Sequence, residues 1–198
     1  WQACISAVRM KQAEKEFNKE MLAAGLIPSE INTRIGINTG NMVVGNMGTE
    51  QKMNYTMMGN NVNLAARLEG VNKFYKSWIL VSEATWNEAN SGEHEGILLA
   101  RRLDKVRVVG INTPVQLYNI IGVKDELPKE TLESIEVFHQ ALDLYLKKDF
   151  INAGKLFLTA QKLYTEDETP SIFIDRCKQF YKNGVPEDWD GVINMTSK

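Results

Sequence analysis

The segment from Asn54 to Gly70 contains three side chains with the chemistry to bind a nucleotide. Asn63 and Arg67 are four residues apart, so they project from the same face of a helix. The guanidinium of Arg67 carries a permanent charge and forked donors that match phosphate oxygens, whereas the amide of Asn63 offers a donor and an acceptor to a sugar. The hydroxyl of Thr56 ends the preceding predicted strand, where it can meet the edge of a base. On residue types alone, a solvated helix face is the more common origin of such a pair, and a nucleotide site is the alternative.

A run of glycines, GINTGNMVVGNMG, raises the separate alternative of a phosphate-binding loop. Asn46 stands where such a loop requires a lysine, and no helix is predicted after Gly48 to direct its N-terminus at a phosphate. We therefore interpret Gly40 and Gly45 as turn and bulge positions of a β-hairpin.

Hydrophobic periodicity predicts the elements that position these residues. Helical spacing predicts one helix from Gln2 to about Ala24 and another from Asn61 to Tyr75. Between them, TRIGINTG and MVVGNMG alternate as strands, and we expect these two to pair as a hairpin before a third strand from Met53 to Met57. A buried strand, a short helix and a closing strand pair complete residues 1–122. This order predicts an α+β sandwich.

The chain changes character after Gly122. Residues 123–130 form a polar linker that contains proline, and residues 131–198 carry three predicted amphipathic helices. Their alanines and phenylalanines are spaced as in a tetratricopeptide-type helical hairpin. A single unit of this kind cannot bury both of its faces, so we expect the tail to dock on a neighbouring domain, with Trp189 packing against it.

Composition limits the classes of partner. The 198 residues are 43% apolar and 24% charged with a net charge of −2, which gives no electrostatic reason to expect nucleic acid or an anionic membrane as a partner. No apolar run approaches the length of a membrane span. Cys4 and Cys177 match no metal or redox spacing, so we expect free thiols in a reducing cytoplasm. The chain begins at Trp1 inside a helical pattern, from which we expect a fragment of a longer protein.

Other residues capable of chemistry have ordinary explanations. His94 and His139 are isolated, so we expect solvated surface histidines and not metal ligands. Four methionines of the glycine-rich region are expected to fill the core: Met42, Met47, Met57 and Met58.

The stretch from Arg34 to Thr85 closely resembles the second half of a class III nucleotidyl cyclase catalytic domain, which produces cyclic AMP or cyclic GMP. QACISAVRM resembles the helix before that domain's central hairpin, and LDKVRVVG with PVQLYNIIG resembles its closing strands. DETPSIFIDRCKQF and PEDWDGVINMTSK are similar to the helical extension of many bacterial members. The resemblance implies a ferredoxin-like cyclase sandwich that lacks its first strands (residues 1–122), followed by a small all-α extension (residues 131–198).

The resemblance also implies a role for each candidate residue. In that family the 3′-hydroxyl of ATP attacks its own α-phosphate and releases pyrophosphate. Thr56 then lies where the base is selected, and threonine there is typical of bacterial adenylate cyclases, whereas guanylate cyclases usually carry cysteine. Asn63 corresponds to the asparagine that orients the ribose, and Arg67 to the arginine that stabilises charge on the α-phosphate.

Three departures from the family pattern matter. The two metal-binding aspartates and the purine-contacting lysine of the family precede Trp1, so we expect no metal ligand in this chain, with Mg²⁺ or Mn²⁺ bound upstream. The fragment alone is therefore expected to be inactive. Val109 stands where many members carry a pyrophosphate-binding lysine, and Ile111 stands at the second basic position. Asn60 replaces a common aspartate but can still cap a helix.

Three hypotheses on function follow. The first is part of a cytoplasmic, homodimeric bacterial adenylate cyclase in signal transduction, which binds ATP between two chains and reaches a membrane only through upstream segments. The second, motivated by Val109, is a degenerate cyclase homologue that acts as a regulatory nucleotide-binding or protein-interaction module. The third places the function in the helical tail, as a protein-interaction module.

Overall fold

The computed structural model describes residues 1–107 and 113–195, so Val109 and Ile111 lie outside the described residues. The helices and strands follow the order expected from the sequence, with a short C-terminal strand in addition. They are α1 (Gln2–Ala23), β1 (Ile35–Ile37), β2 (Val43–Thr49), β3 (Lys52–Met58), α2 (Asn60–Tyr75), β4 (Ile79–Ser82), α3 (Glu83–Ala89), β5 (Leu98–Arg107), β6 (Val115–Val123), α4 (Lys129–Leu146), α5 (Phe150–Leu163), α6 (Thr169–Asn183) and β7 (Val192–Asn194).

Within the described ranges, five strands form one sheet in the order β1–β4–β6–β5–β7. β1 runs parallel to β4, whereas β4 and β6 are antiparallel. The antiparallel β5–β6 pair confirms the predicted closing strands. β7 joins the far edge of the sheet, parallel to β5. Together these strands and helices form a mixed α+β fold.

The expected pairing of β1 with β2 is wrong. β2 pairs with β3 in a separate two-stranded sheet, and β1 pairs with β4. Only Glu50 and Gln51 separate the paired ends Thr49 and Lys52, and so short a connection closes a hairpin between adjacent strands. Gly45 lies in regular register opposite Thr56, so it is not a bulge.

The sheet separates two apolar cores. On one face, α1 and α3 cover Ile79 and Val81 of β4 together with parts of β5 and β6. On the other face, α2 and the tail helices α4, α5 and α6 share a single core with Leu80, Leu103 and Leu117. The tail therefore packs on the same side of the sheet as the helix that carries the candidate site residues.

The C-terminal segment returns to this shared core. The indole of Trp189 lies 5.5 Å from the ring of Tyr145 and 5.8 Å from the ring of Phe150, measured between centroids. The expected packing role of Trp189 is confirmed. At the start of the tail, Glu126 receives two hydrogen bonds of 2.7 Å from Arg9, which fixes the segment after β6 to α1.

Two expectations about side chains need correction. Met42, Met57 and Met58 are exposed and Met47 is half-buried, because the two-stranded sheet is left almost uncovered on both faces. His139 is not a free surface histidine, since its Nε2 accepts a hydrogen bond of 2.9 Å from the backbone N–H of Arg102.

Cys4 and Cys177 are buried and unpaired. Among the described helices, none combines the length and the apolar composition that a bilayer crossing requires.

Candidate functional site

Helix α2 carries Asn63 and Arg67 and begins immediately after the β2–β3 hairpin. Gly59 joins the hairpin to the helix with a φ of 148°, a conformation that residues with a side chain rarely adopt. Its carbonyl accepts a hydrogen bond of 3.1 Å from the N–H of Asn63. Leu64 and Leu68 follow the two polar residues and are buried in the core. Asn63 and Arg67 therefore lie together beside the buried stripe, as predicted.

Neither Asn63 nor Arg67 uses its side chain in a hydrogen bond or ion pair within the described residues. Asn63 is exposed and Arg67 is half-buried. Among the hydrogen bonds and ion pairs of residues 1–107 and 113–195, none involves the amide of Asn63 or the guanidinium of Arg67. In contrast, Arg34 and Glu69 near the same helix pair with each other at 3.0 Å. The pair Asn63 and Arg67 is thus available to a ligand.

A cluster of three asparagines, Asn38, Asn41 and Asn61, fixes the start of α2. The amide of Asn38 donates to the backbone carbonyl of Asn61 at 3.1 Å and to its side-chain oxygen at 3.2 Å. The amide of Asn61 in turn donates to the carbonyl of Asn41 at 3.0 Å. A Cβ on Gly40 would lie 2.3 Å from the Asn61 amide, so a glycine is required for this close approach.

The asparagine cluster continues into the sheet and α3. The hydroxyl of Ser82 donates to Asn38 Oδ1 at 2.6 Å and contacts the hydroxyl of Thr85 at 3.2 Å. Thr85 donates to the hydroxyl of Thr39 at 3.1 Å. Local sequence patterns do not reveal this network, because its hydrogen bonds join residues up to 46 positions apart. The available signal was the density of Asn, Thr and Gly in NTGN and in GNN.

The middle of α2 is held just as closely. A Cβ on Gly36 of β1 would lie 2.3 Å from the carbonyl oxygen of Ala65, so the helix and the strand are in backbone contact. The buried amide of Asn72 donates to the carbonyl of Ile35 at 2.9 Å and accepts a hydrogen bond of 2.9 Å from Ser77. These contacts give Asn63 and Arg67 a rigid support.

Thr56 lies on β3 and not on the helix. It is exposed, and it pairs across the hairpin with Gly45, at which an added Cβ would meet nothing within 4 Å. The surface beside the Thr56 hydroxyl is therefore open. In the described part of the chain, no hydrogen bond joins Thr56 to Asn63 or Arg67, although only Met57 to Val62 separate Thr56 from Asn63.

The described residues do not form a metal centre. Nowhere in residues 1–107 and 113–195 do three or more histidine, cysteine, aspartate or glutamate side chains come together in a way that would hold a metal ion. The donors at the candidate site, a hydroxyl, an amide and a guanidinium, suit a base, a sugar and a phosphate better than a cation.

Comparison with known proteins gives consistent matches. Residues 2–122 match the family model of the adenylate and guanylate cyclase catalytic domain. The terminal-differentiation specific adenylate cyclase of Dictyostelium discoideum is 31% identical over 163 residues, which is 82% of this chain and 8% of that protein. Adenylate cyclase 1 of Rhizobium meliloti is 36% identical over 121 residues, which is 61% of this chain and 17% of that protein. The chain spans less than a fifth of either relative.

Among solved structures, the adenylyl cyclase CyaB from P. aeruginosa is 31% identical, with a TM-score of 0.49, over 63% of this chain and 62% of that chain.

Proposed function

The chain belongs to the family of adenylate and guanylate cyclase catalytic domains, and we propose that it acts in an adenylate cyclase that converts ATP to cyclic AMP and pyrophosphate. One observation carries the proposal. Asn63 and Arg67 lie together on a helix whose start and middle are held in place, yet their own side chains have no partner among the described residues. A helix that is held by these contacts and presents two polar groups without partners of their own suits binding and charge stabilisation.

The proposed reaction assigns a task to each group. The 3′-hydroxyl of ATP loses its proton to water while its oxygen forms a bond to the α-phosphorus, the bond from that phosphorus to the bridging oxygen breaks, and pyrophosphate leaves. Asn63 holds the ribose so that its hydroxyl is in line with the α-phosphate. Arg67 donates to the α-phosphate oxygens as charge builds up on them. Catalysis of this kind depends on positioning and electrostatics, which both residue types supply.

Divalent cations are part of the family's chemistry, but the described residues do not fit them. No suitable cluster of acidic, histidine or cysteine side chains is present in the described ranges. We therefore assign Mg²⁺ or Mn²⁺ binding to residues upstream of Trp1 in the full-length protein.

The exposed β2–β3 hairpin supports a homodimeric active site. Val44, Met53, Tyr55 and Met57 alternate onto one face of the hairpin and are all exposed. Contiguous apolar surface of this kind is uncommon on monomers and marks interaction sites. We propose that a second copy covers this face, so that each active site takes Asn63 and Arg67 from one subunit and metal-binding residues from the other.

The remaining assignments follow from this function. The tail is proposed to be a tetratricopeptide-like extension, supported by three consecutive helices, α4 to α6, that meet in one core. The protein would work in the cytoplasm, where ATP is available. The second candidate, a degenerate homologue that binds nucleotide without turnover, is motivated by Val109 at the position of the pyrophosphate-binding lysine.

Substrate choice provides the test. We expect the full-length protein to favour ATP over GTP in kcat/KM by about tenfold or more, because a base with the wrong donor pattern leaves polar groups of the site unpaired. Thr56→Val keeps the side-chain shape, removes the hydroxyl and should narrow this ratio. Equal efficiency with ATP and GTP would remove the adenylate assignment. Nucleotide binding without any cyclic product would favour the degenerate homologue.

A further inference from the structure

The C-terminal end of α2 contacts the helical tail at the start of α6. The last carbonyls of a helix lack partners within it and need a donor from elsewhere. The hydroxyl of Thr169, at the start of α6, donates to the backbone carbonyl of Tyr75 at 2.8 Å. At the next residue, the ammonium of Lys76 pairs with the carboxylate of Glu168 at 2.6 Å. Lys76 itself has a φ of 53°, which a residue with a side chain seldom adopts. The tail thus caps the helix.

A buried ion pair forms a second connection between α2 and the tail, at the side chain of Tyr75. Its hydroxyl donates to Asp104 of β5 at 2.7 Å, and the same carboxylate oxygen pairs with Arg176 of α6. The Asp104 side chain is fully buried and that of Arg176 is 11% exposed. Breaking a buried pair by removing one partner leaves an uncompensated charge, so this contact resists rearrangement.

Thr169 is itself fixed by further buried contacts. Arg101 of β5, whose side chain is 2% exposed, donates to the Thr169 hydroxyl at 2.7 Å and pairs with Asp167. The N–H of Thr169 donates to Asp167 Oδ1 at 3.1 Å. The hydroxyl that caps α2 is therefore aligned by a strand of the sheet and by its own neighbouring loop.

We propose that the helical tail is a clamp for helix α2, in which Thr169, Asp104 and Arg176 act as positioning residues for Asn63 and Arg67. The inference rests on the proposed function, since it names what sets the geometry of that same site. It gives the tail a role within the chain, which is separate from recognition of another protein.

Helix geometry explains how a change at the C-terminal end of α2 can displace Arg67. Arg67 precedes Tyr75 by eight residues, which is about 12 Å along the axis at about 1.5 Å per residue. The asparagine cluster holds one end of α2, the contact with β1 holds its middle, and the clamp holds the other end. Loss of the clamp therefore allows the helix to turn about its contact with β1. A rotation of about 10° moves a group at about 6 Å from the axis by about 1 Å, and a misplacement of that size can reduce a rate by about a hundredfold.

Amide hydrogen exchange tests the clamp in the 198-residue chain without any need for activity. Thr169→Val removes the donated hydrogen bond and keeps the side-chain shape. We expect exchange of the amides from Asn63 to Leu68 to become about tenfold faster, and Thr169→Ser to restore protection because it keeps the hydroxyl. The control is Phe157→Leu, which loosens the tail core at a ring that packs on Phe138, Tyr145 and Phe173.

The comparison is made at matched free energies of unfolding, adjusted with urea. If Phe157→Leu accelerates exchange in α2 as much as Thr169→Val does, the clamp is overturned. If Thr169→Val does not fold, Tyr75→Phe replaces it, since that variant removes only the hydroxyl that contacts Asp104. It should have the same effect on the amides of α2, and unchanged exchange there would equally overturn the clamp.

Kinetics of the full-length protein provide the second measurement. Thr169→Val should lower kcat for ATP by about tenfold and leave KM within about twofold, because Arg67 acts mainly in the transition state. Thr169→Ser should recover kcat, and Phe157→Leu should keep it when rates are expressed per folded protein. An unchanged kcat in Thr169→Val overturns the positioning role. Absence of cyclic AMP formation by the unmutated protein would instead reject the proposed function, and hydrogen exchange would still decide on the clamp.

Discussion

At the scale of single residues, His139 shows how the tail and the sheet depend on protonation. Its Nε2 accepts the N–H of Arg102, close to an irregularity in the register of β5 between Arg102 and Lys105. Burial, followed by the nearby charges of Arg102 and Arg101, lowers the pKa of His139 to about 4 from its ordinary value of 6.5. The neutral imidazole is required, because a protonated Nε2 cannot accept this hydrogen bond.

The low pKa predicts a loss of stability in acid. The unfolded chain binds a proton at His139 near pH 6.5 and the folded chain only near pH 4. The contribution to stability is therefore complete above pH 6.5 and declines between these values by up to about 1.4 kcal/mol per pH unit. Urea unfolding at pH 7.0, 5.5 and 4.5 measures it. His139→Gln should flatten the decline and His94→Gln should not, and identical pH dependence in all three proteins would contradict the assignment.

Residue patterns predicted the candidate pair but not its supports. Helical spacing alone placed Asn63 and Arg67 on one face, because that relation depends on local geometry. The supports are long-range: Asn38 contacts Asn61 across 23 residues, and Thr169 contacts Tyr75 across 94. No local period encodes such contacts, so they emerge only when the chain is folded.

At the scale of elements, the contact between β1 and α2 depends on one glycine. Gly36→Ala would place a Cβ 2.3 Å from the oxygen of Ala65 and 2.4 Å from the nitrogen of Glu69. Both are backbone atoms, so relief requires the helix to move. We expect the free energy of unfolding to fall by about 1–3 kcal/mol.

Gly70 on the same helix is the matched control. An added Cβ there meets nothing within 4 Å. Gly70→Ala should therefore stabilise the protein by about 0.5–1 kcal/mol, because alanine loses less backbone entropy within a helix. Chemical denaturation of both variants checks the pair of predictions, and similar effects from the two substitutions would contradict the proposed backbone contact.

Strand positions were predictable, whereas the partners of β1 and β2 were not. Alternation located β1, β2 and β3, yet it contains no information on which strand lies beside which. The parallel pairing of β1 with β4 needs α2 as its crossover, and the helix packs on β1 because Gly36 allows it. The choice of partner is thus a tertiary effect.

At the scale of the whole molecule, one core unites the sheet, α2 and the tail. Leu68, Leu80 and Leu117 are buried in the same cluster as Phe138 and Phe173. The amphipathic tail pattern predicted that it would need a surface on which to pack, since a single helical hairpin cannot bury both faces. The sequence could not identify that surface as the side of the sheet occupied by α2.

The exposed β2–β3 hairpin is the surface through which we propose that two chains associate. Tyr55 on the hairpin and Tyr181 on α6 are exposed to similar extents, 76% and 68%. If a second copy covers the hairpin, Tyr55→Lys should raise the dissociation constant of the dimer by about tenfold or more, because it buries a charge in an apolar contact. Tyr181→Lys should leave it unchanged. Sedimentation velocity over a range of concentrations measures both, and a chain that stays monomeric throughout, or equal weakening by both variants, would contradict the homodimer.

The catalytic role of Arg67 is tested most directly by steady-state cyclic AMP formation by the full-length protein and its Arg67→Ala variant. We expect kcat to fall by about a hundredfold or more, as for loss of one donor to a transition-state oxyanion, with a far smaller change in KM for ATP. Arg34→Ala is the control, because Arg34 is an exposed arginine that pairs with Glu69 on α2, the helix that carries Arg67. It should retain turnover near that of the unmutated protein. Near-normal turnover in Arg67→Ala would contradict the claim that this helix supplies a catalytic group.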